Sequence, residues 1–399
     1  MSGPDDAGAT RGARFVDSPE LGRPMLGPDH PFKAVRLPLT RSLLEHAGLL
    51  APGEVVAPSR MDERLLTTVH DGAYVEAVKA AARGGVIDDP WSYGLGTSDN
   101  PIVADMDRAA LRICDATVTA ADLVARGEAL RAASFAGGLH HAHRDRASGF
   151  CLFNDLALAI EWLTSRYGLR VAYLDIDAHH GDGVQGLFDD RADVLTVSLH
   201  ESGRYLFPGT GFEDEIGRGE GLGACVNVPL DPGTGDASYL EVFDLVVPAA
   251  IDAFAPDVLL LQAGADAHRR DPLAHLELSL AGLDAVYARV VDLADRHTGG
   301  RLIVTGGGGY DPYQTVPRAW ALLWCRMTGQ RLPETLPASW RDAWRGEIDD
   351  ELPWRADEAG EGAHADGAED VRQSRAASHN RAVAQRALAL LTPLWARGR

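Results

Sequence analysis

Five short apolar runs punctuate the middle of this chain, each closed by a polar or glycine-rich stretch. They are LRAASF at 130–135, VAYLDI at 171–176, VLTVSL at 194–199, VLLLQA at 258–263 and RLIVTG at 301–306. Short runs of this length, bounded by turn signals, read as buried strands. Helical periodicity fills most of the intervals, at 154–166, 238–254 and 279–296. Upstream, the pattern predicts helices over 40–50, 62–83 and 104–125, with a long Gly/Pro/Asp-rich loop at 84–102. Continuous apolar strands that alternate with helices predict an α/β fold, a single parallel sheet with helices on both faces. The main body spans 17–330. Residues 1–16 are small and polar and are expected to be disordered. Residues 331–399 form an extension, an extended wrap partly disordered around 357–377. It ends in a helix over NRAVAQRALALL, with Ser378 as its N-cap.

The stretches that follow the strands hold the chemistry. DIDAHHGDG, 175–183, supplies carboxylates and imidazoles within a few residues of a strand end. Side chains two apart on an extended segment point the same way, so Asp175, Asp177 and His179 share a face. Open parallel sheets place their ligands at that edge. Such a set suits a divalent transition metal, with zinc the default, or it is simply a polar turn. Asp266 in QAGAD ends another buried strand, where a carboxylate is paired, bound to metal or capping a helix. With Asp177 and His179 it completes an Asp/His/Asp set, and catalytic zinc sites commonly combine three protein ligands with an open position. His140 and His141, in GGLHHAH, are an incidental doublet or two imidazoles facing one cleft. Asp175 and Asp182 are then free to orient them. The glycines of GGGGY make a tight turn or clear the way for Tyr310. The run lacks the Lys and Ser/Thr of a phosphate-binding loop.

Composition narrows the partners. Lys and Arg number 38 against 58 Asp and Glu, a net charge of −20. Such a surface disfavours nucleic acid and anionic membranes. Four widely spaced cysteines give no disulfide framework, and no apolar run is long enough to span a bilayer. With no secretory signal pattern at the N-terminus, a cytoplasmic location is expected.

In order along the chain, GGLHHAHRDRASGFCLFND, DIDAHHGDGVQ, VSLHESGRYLFPGTG, GADAHRRDPLAHL and GGGGY resemble the zinc-dependent histone deacetylase family. GTSDNP, ASGFC and DPLAHL resemble most closely its bacterial acetoin-utilisation branch. The resemblance covers roughly 25–330 and implies an arginase/deacetylase-like fold with its site at the strand C-termini. It implies a deacetylase catalytic domain over 17–330, and Asp177, His179 and Asp266 as ligands of Zn2+, or of Fe2+. His141 is implied as general base and acid, His140 as its electrostatic partner, Asp175 and Asp182 as the carboxylates behind them, and Tyr310 as the group that polarises the carbonyl. Gly149, Phe150 and Phe207 are implied to shape an acyl-lysine tunnel, Leu273 its rim, Asp99 a rim contact to substrate backbone, and Arg36 an internal acetate pocket. A structural K+ is implied at Asp175, Asp177, His179, Ser198 and Leu199. The segment before His30 lacks an aromatic residue common in the family, which leaves that part of the rim open.

The function implied is metal-dependent hydrolysis of acetyl-lysine on a protein, such as an acyl-CoA synthetase, with acetylpolyamines or other small acylamines as the alternative substrates. A binuclear manganese ureohydrolase shares a DAH motif but keeps an Asp where His268 stands here. A non-catalytic acetyl-lysine reader has no use for Tyr310, His141 and two supporting carboxylates together.

Overall fold

The computed structural model describes residues 12–348, 350–358 and 367–396. Its centre is an eight-stranded sheet in the order β2-β1-β3-β8-β7-β4-β5-β6. The strands are β1 (Ala13–Val16), β2 (Val55–Val56), β3 (Arg131–Ser134), β4 (Val171–Asp175), β5 (Val194–Glu201), β6 (Cys225–Leu230), β7 (Val258–Gln262) and β8 (Leu302–Thr305). Every pairing is parallel. Helices cover both faces, so strand residues are buried whichever way they point. Ala172 and Leu174 enter one apolar cluster, and Val171 and Tyr173 enter the other. This is why the strands read as unbroken apolar runs.

The first cluster lies under α1 (Arg36–His46) and the later helices. The second lies under α2 (Leu66–Val69), α3 (Gly72–Ala82), α4 (Met106–Ala125), α5 (Asp155–Tyr167) and α6 (Asp182–Phe188). The later helices are α7 (Asp236–Phe254), α8 (Leu280–His297), α9 (Val316–Thr328), α10 (Ala338–Trp344) and α11 (Gly367–Trp395). After β3 the chain crosses β8 and β7 to reach β4, runs outward to β6, then returns to fill the gap. The C-terminal ends of β3, β4, β7 and β8 therefore lie side by side, which is the position of a ligand crevice in an open sheet.

Several expectations fail for physical reasons. Ala13–Val16 are not disordered: they pair in parallel with β3 on one side and β2 on the other. Residues 1–11 lie outside the described residues. The helix expected over 62–83 breaks at His70, whose backbone is extended. Its ring is instead committed to tertiary bonds, donating from Nδ1 to His143 O and accepting the Asn154 N–H at Nε2. Ser378 caps nothing. It sits inside α11 and its hydroxyl donates to Ser374 O one turn back. Of the expected disorder around 357–377, residues 359–366 lie outside the described residues, and Gly367 onward is helical. The extension packs into the main core through Trp340, Val383 and Leu391. Strand β6 went unread because Pro229 breaks the strand pattern, which an edge strand tolerates.

Candidate active site

Each strand end delivers one part of the site. From the β4 end come Asp177 and His179, and from the β7 end comes Asp266. Their ligand atoms all lie within 4.8 Å of one another, and this is the one such cluster of three or more among the described residues. His179 Nδ1 is 2.9 Å from Asp266 Oδ2 and 3.2 Å from Asp177 Oδ1. All three residues are buried. Two carboxylates this close in the interior repel each other. Burial, and then the charge on Asp177, push Asp266 up to about 8. A divalent cation would relieve that repulsion, and a mixed imidazole and carboxylate donor set fits zinc or ferrous iron. The geometry thus fits a single transition metal.

The cradle is tied down from outside. Asp177 Oδ2 accepts the Gly308 N–H at 2.7 Å and the Gln262 amide at 2.6 Å. Gly308 must be glycine, because a Cβ there would lie 1.9 Å from Asp266 Oδ2. That close approach explains the glycine run before Tyr310 better than a tight turn does. Gln262 was not singled out from sequence, although its place at the end of β7, facing the ligands, was a readable signal.

The histidine pair follows β3. His140 Nδ1–H donates to Asp175 at 2.8 Å, and His141 Nδ1–H donates to Asp182 at 2.7 Å. The two Nε2 atoms are 3.0 Å apart. Burial opposes a charge on His140, but Asp175 and Asp177 outweigh it and push the ring up to about 9. Burial, and then the charge on His140, push His141 down to about 3. One ring nitrogen of the pair, His141 Nε2, is thereby left free of a proton at neutral pH. A dication beside Asp177 would oppose the charge on His140 and pull that ring back down. Tyr173 Oη donates to the same Asp175 oxygen at 2.5 Å. Asn154 supports the loop from below, donating to Ala142 O at 2.9 Å while its Oδ1 caps α5. Neither residue stood out in the sequence, since both read as ordinary strand and cap positions.

Aromatic side chains wall the approach. The Phe207 ring is 5.0 Å from that of His141, and the Phe150 ring is 5.7 Å from that of Tyr310. Gly149 and Phe150 both have positive φ, at 48° and 70°. At Gly149 a Cβ would meet the His141 ring at 2.4 Å and the Phe207 ring at 2.8 Å. Phe150 carries the cost of that left-handed backbone, roughly 1–3 kcal/mol for a non-glycine residue. Burial, with Asp266 and Asp177 nearby, raises Tyr310 well above its ordinary value, so its phenol keeps its proton. The Tyr310 N–H donates to Asp271 at 2.7 Å, and the other Asp271 oxygen accepts the Leu273 N–H at 2.9 Å. Asp271, another residue not read from sequence, therefore links the tyrosine loop to the backbone of Leu273.

Arg36 is buried behind this loop, donating to Gly309 O at 3.0 Å and stacking on Phe32 at 4.1 Å. Asp99 is exposed, and its backbone oxygen accepts from His30 Nε2 at 3.2 Å. It does not cap a helix, because α4 begins only at Met106. His30 in turn packs edge-on against Phe150 with ring centroids 4.5 Å apart, so an imidazole lines this segment beside Phe150. Ser198 sits opposite Asp175 on β5, next to Leu199.

The histone deacetylase domain model matches residues 30–327. The chain belongs to the histone deacetylase family. It is 44% identical over 344 residues to the acetoin utilization protein AcuC of Bacillus subtilis (strain 168), covering 86% of this chain and 89% of that one. AcuC of Staphylococcus aureus (strain MRSA252) is 41% identical over 343 residues, covering 86% and 88%. These relatives put the chain in the bacterial AcuC branch. A crystal structure of an HDAC homolog complexed with SAHA superimposes with a TM-score of 0.78 at 29% identity, over 92% of this chain and all of that one. An HDAC homolog from Aquifex aeolicus gives 0.77 at 29% identity over the same shares. The fold is thus the arginase/deacetylase fold and the chemistry that of a deacetylase-family hydrolase, which implies a catalytic metal. No helix among the described residues is long and apolar enough to cross a membrane.

Proposed function

We propose that this enzyme hydrolyses the amide of acetyl-lysine side chains on proteins, releasing acetate. The observation that carries the reading is the convergence of Asp177, His179 and Asp266 with the carboxylate-backed His140–His141 pair beneath an aromatic channel. A zinc ion held by those three ligands would polarise the amide carbonyl and acidify a water.

The side chains account for the rest. His141 Nε2, the unprotonated nitrogen of the pair, takes the proton of the attacking water, and Asp182 stabilises the imidazolium formed. His140 and Asp175 set the electrostatic background for that transfer. The Tyr310 phenol donates to the oxyanion as the carbonyl becomes tetrahedral, an interaction worth about 3–4 kcal/mol for a well-placed donor. His141 then returns its proton to the departing lysine nitrogen. The Phe150 and Phe207 walls, with Gly149 leaving room between His141 and Phe207, suit a long, uncharged acyl-lysine stem. Arg36 offers the acetate product a buried cation. Asp175, Ser198 and the neighbouring oxygens of Asp177, His179 and Leu199 would take K+ as a structural ion.

Asp99 supports a polypeptide substrate over a small acylamine, because a rim carboxylate can accept amides on either side of the modified lysine. An acyl-CoA synthetase would suit the acetoin-utilisation relatives, and a cytoplasmic location goes with such a substrate. The deciding experiment is a panel of acetyl-lysine peptides, acetylpolyamines and longer acyl chains presented to the purified enzyme. The reading expects the highest kcat/KM on the peptides. Preference for acetylpolyamines would overturn the protein-substrate assignment.

A further inference from the structure

The family model ends at residue 327, yet the chain beyond it returns to the loop that carries Asp266. The contact is made by Glu358, whose side chain is only 8% exposed. One carboxylate oxygen accepts from His268 Nε2 at 3.1 Å and from the Arg269 guanidinium at 2.5 Å. The other accepts the N–H of Leu280, the first residue of α8, at 2.7 Å.

His268 is fully buried and stands two residues past Asp266. Its Nδ1 accepts the Arg270 N–H at 3.2 Å and lies 3.2 Å from the Thr315 hydroxyl. Thr315 also bonds Asp311, the residue after Tyr310, and Arg270 pairs with Asp311 at 3.2 Å. One carboxylate from the extension thus reaches the metal-ligand loop directly and the tyrosine loop through one imidazole.

The strap that delivers Glu358 is anchored independently of it. Arg318 donates to Asp357 O at 2.9 Å, Ala356 N–H to Glu334 O at 2.9 Å, and Leu336 N–H to Trp354 O at 2.9 Å. A buried carboxylate is costly unless fully partnered, and two of the partners of Glu358 are residues that follow Asp266. The Asp266 loop has a need. It must hold a carboxylate against Asp177, and a loop fixed in advance loses less on binding the ion.

We propose that Glu358 is a positioning residue, holding Asp266 and Tyr310 in register through His268, so that the C-terminal strap is a working part of the site. This rests on the metal-site reading above. The test compares Glu358→Gln, Glu358→Asp and, as a control, Arg381→Ala, which breaks the exposed pair between Arg381 of α11 and Glu241 of α7, away from Glu358. Zinc affinity is measured without substrate by competition with a chelating dye. The melting temperature of the metal-free protein is recorded, and kcat and KM are taken at saturating zinc.

Glu358→Gln, nearly isosteric, should weaken zinc binding about 10- to 100-fold. It should lower kcat several-fold with KM unchanged, and both losses should persist at temperatures where the metal-free variant is still fully folded. Glu358→Asp should recover part of the zinc affinity, and Arg381→Ala should match wild type throughout. Wild-type zinc affinity and kcat in Glu358→Gln, with or without a lower melting temperature, would overturn the proposal and leave a merely structural strap. Failure of the wild-type protein itself to bind zinc would instead overturn the metal-site reading on which the proposal rests.

Discussion

The floor of the site and its mouth are built on opposite plans. At the floor, Asp177 and Asp266 are buried and almost every carboxylate oxygen already has a donor, from the Gln262 amide or the N–H groups of Gly308, Ala178 and His179. At the mouth, Asp99 and Phe207 are exposed, and Asp99 is held through its backbone and a long 3.2 Å contact with the Ser98 hydroxyl. A floor of this kind has one geometry and supports one class of reaction. A mouth of this kind leaves side chains free to meet different substrates. On the proposed function, the family's chemistry would reside in the floor and substrate choice in the mouth.

Breaking the floor should do the most damage. Asp266→Asn should lose both bound metal and activity, seen by metal analysis and acetate release, because it removes one of the three ligands. Next comes the histidine pair. His141→Ala should cost at least as much kcat as Tyr310→Phe, and both should keep their metal. Tyr310→Phe should lower kcat by about 10²–10³-fold with little change in metal content, since the phenol acts on the transition state. Near-full activity in that variant would remove the oxyanion role.

The loop beneath the floor should also show in acid stability. Burial pushes His70 down to about 4, and its Nε2 already accepts the Asn154 N–H. Between pH 6.5 and 4 the unfolded chain binds this proton and the folded one does not. The stability from His70 is therefore complete above about 6.5 and lost as pH falls toward 4, at most about 3 kcal/mol. Denaturant melts of wild type and His70→Gln across that range should converge at low pH, and parallel curves would contradict the assignment. The mouth should give the smallest and most selective effect. Asp99→Ala should cut kcat/KM about tenfold on acetyl-lysine peptides and leave an analogue without flanking amides nearly unchanged. Equal losses on both would move Asp99 out of substrate recognition.

The same contrast decides what could be read from sequence. The five central strands were legible because a sheet covered on both faces writes itself as uninterrupted apolar runs. The candidate ligands were legible because Asp177 and His179 lie two apart just past a strand end, and Asp266 follows the end of another strand. The supports were not. Gln262, Asn154, Asp271 and Glu358 act across 85, 12, 39 and 90 residues of sequence, so no local spacing announces them. The outer strands were hidden for another reason. Ala13–Val16 follows polar sequence and Cys225–Leu230 contains Pro229, and their pairing partners, not their composition, make them strands.

The central claim is that one metal, held by Asp177, His179 and Asp266, supports amide hydrolysis at this floor. Titrating metal-free enzyme with zinc while following acetate release from an acetyl-lysine peptide tests it most directly. Activity should rise linearly and level off at about one zinc per chain, and Asp266→Asn should stay inactive at every ratio. A plateau near two metals per chain, or metal binding at one per chain with no acetate released from any acylated substrate, would contradict it.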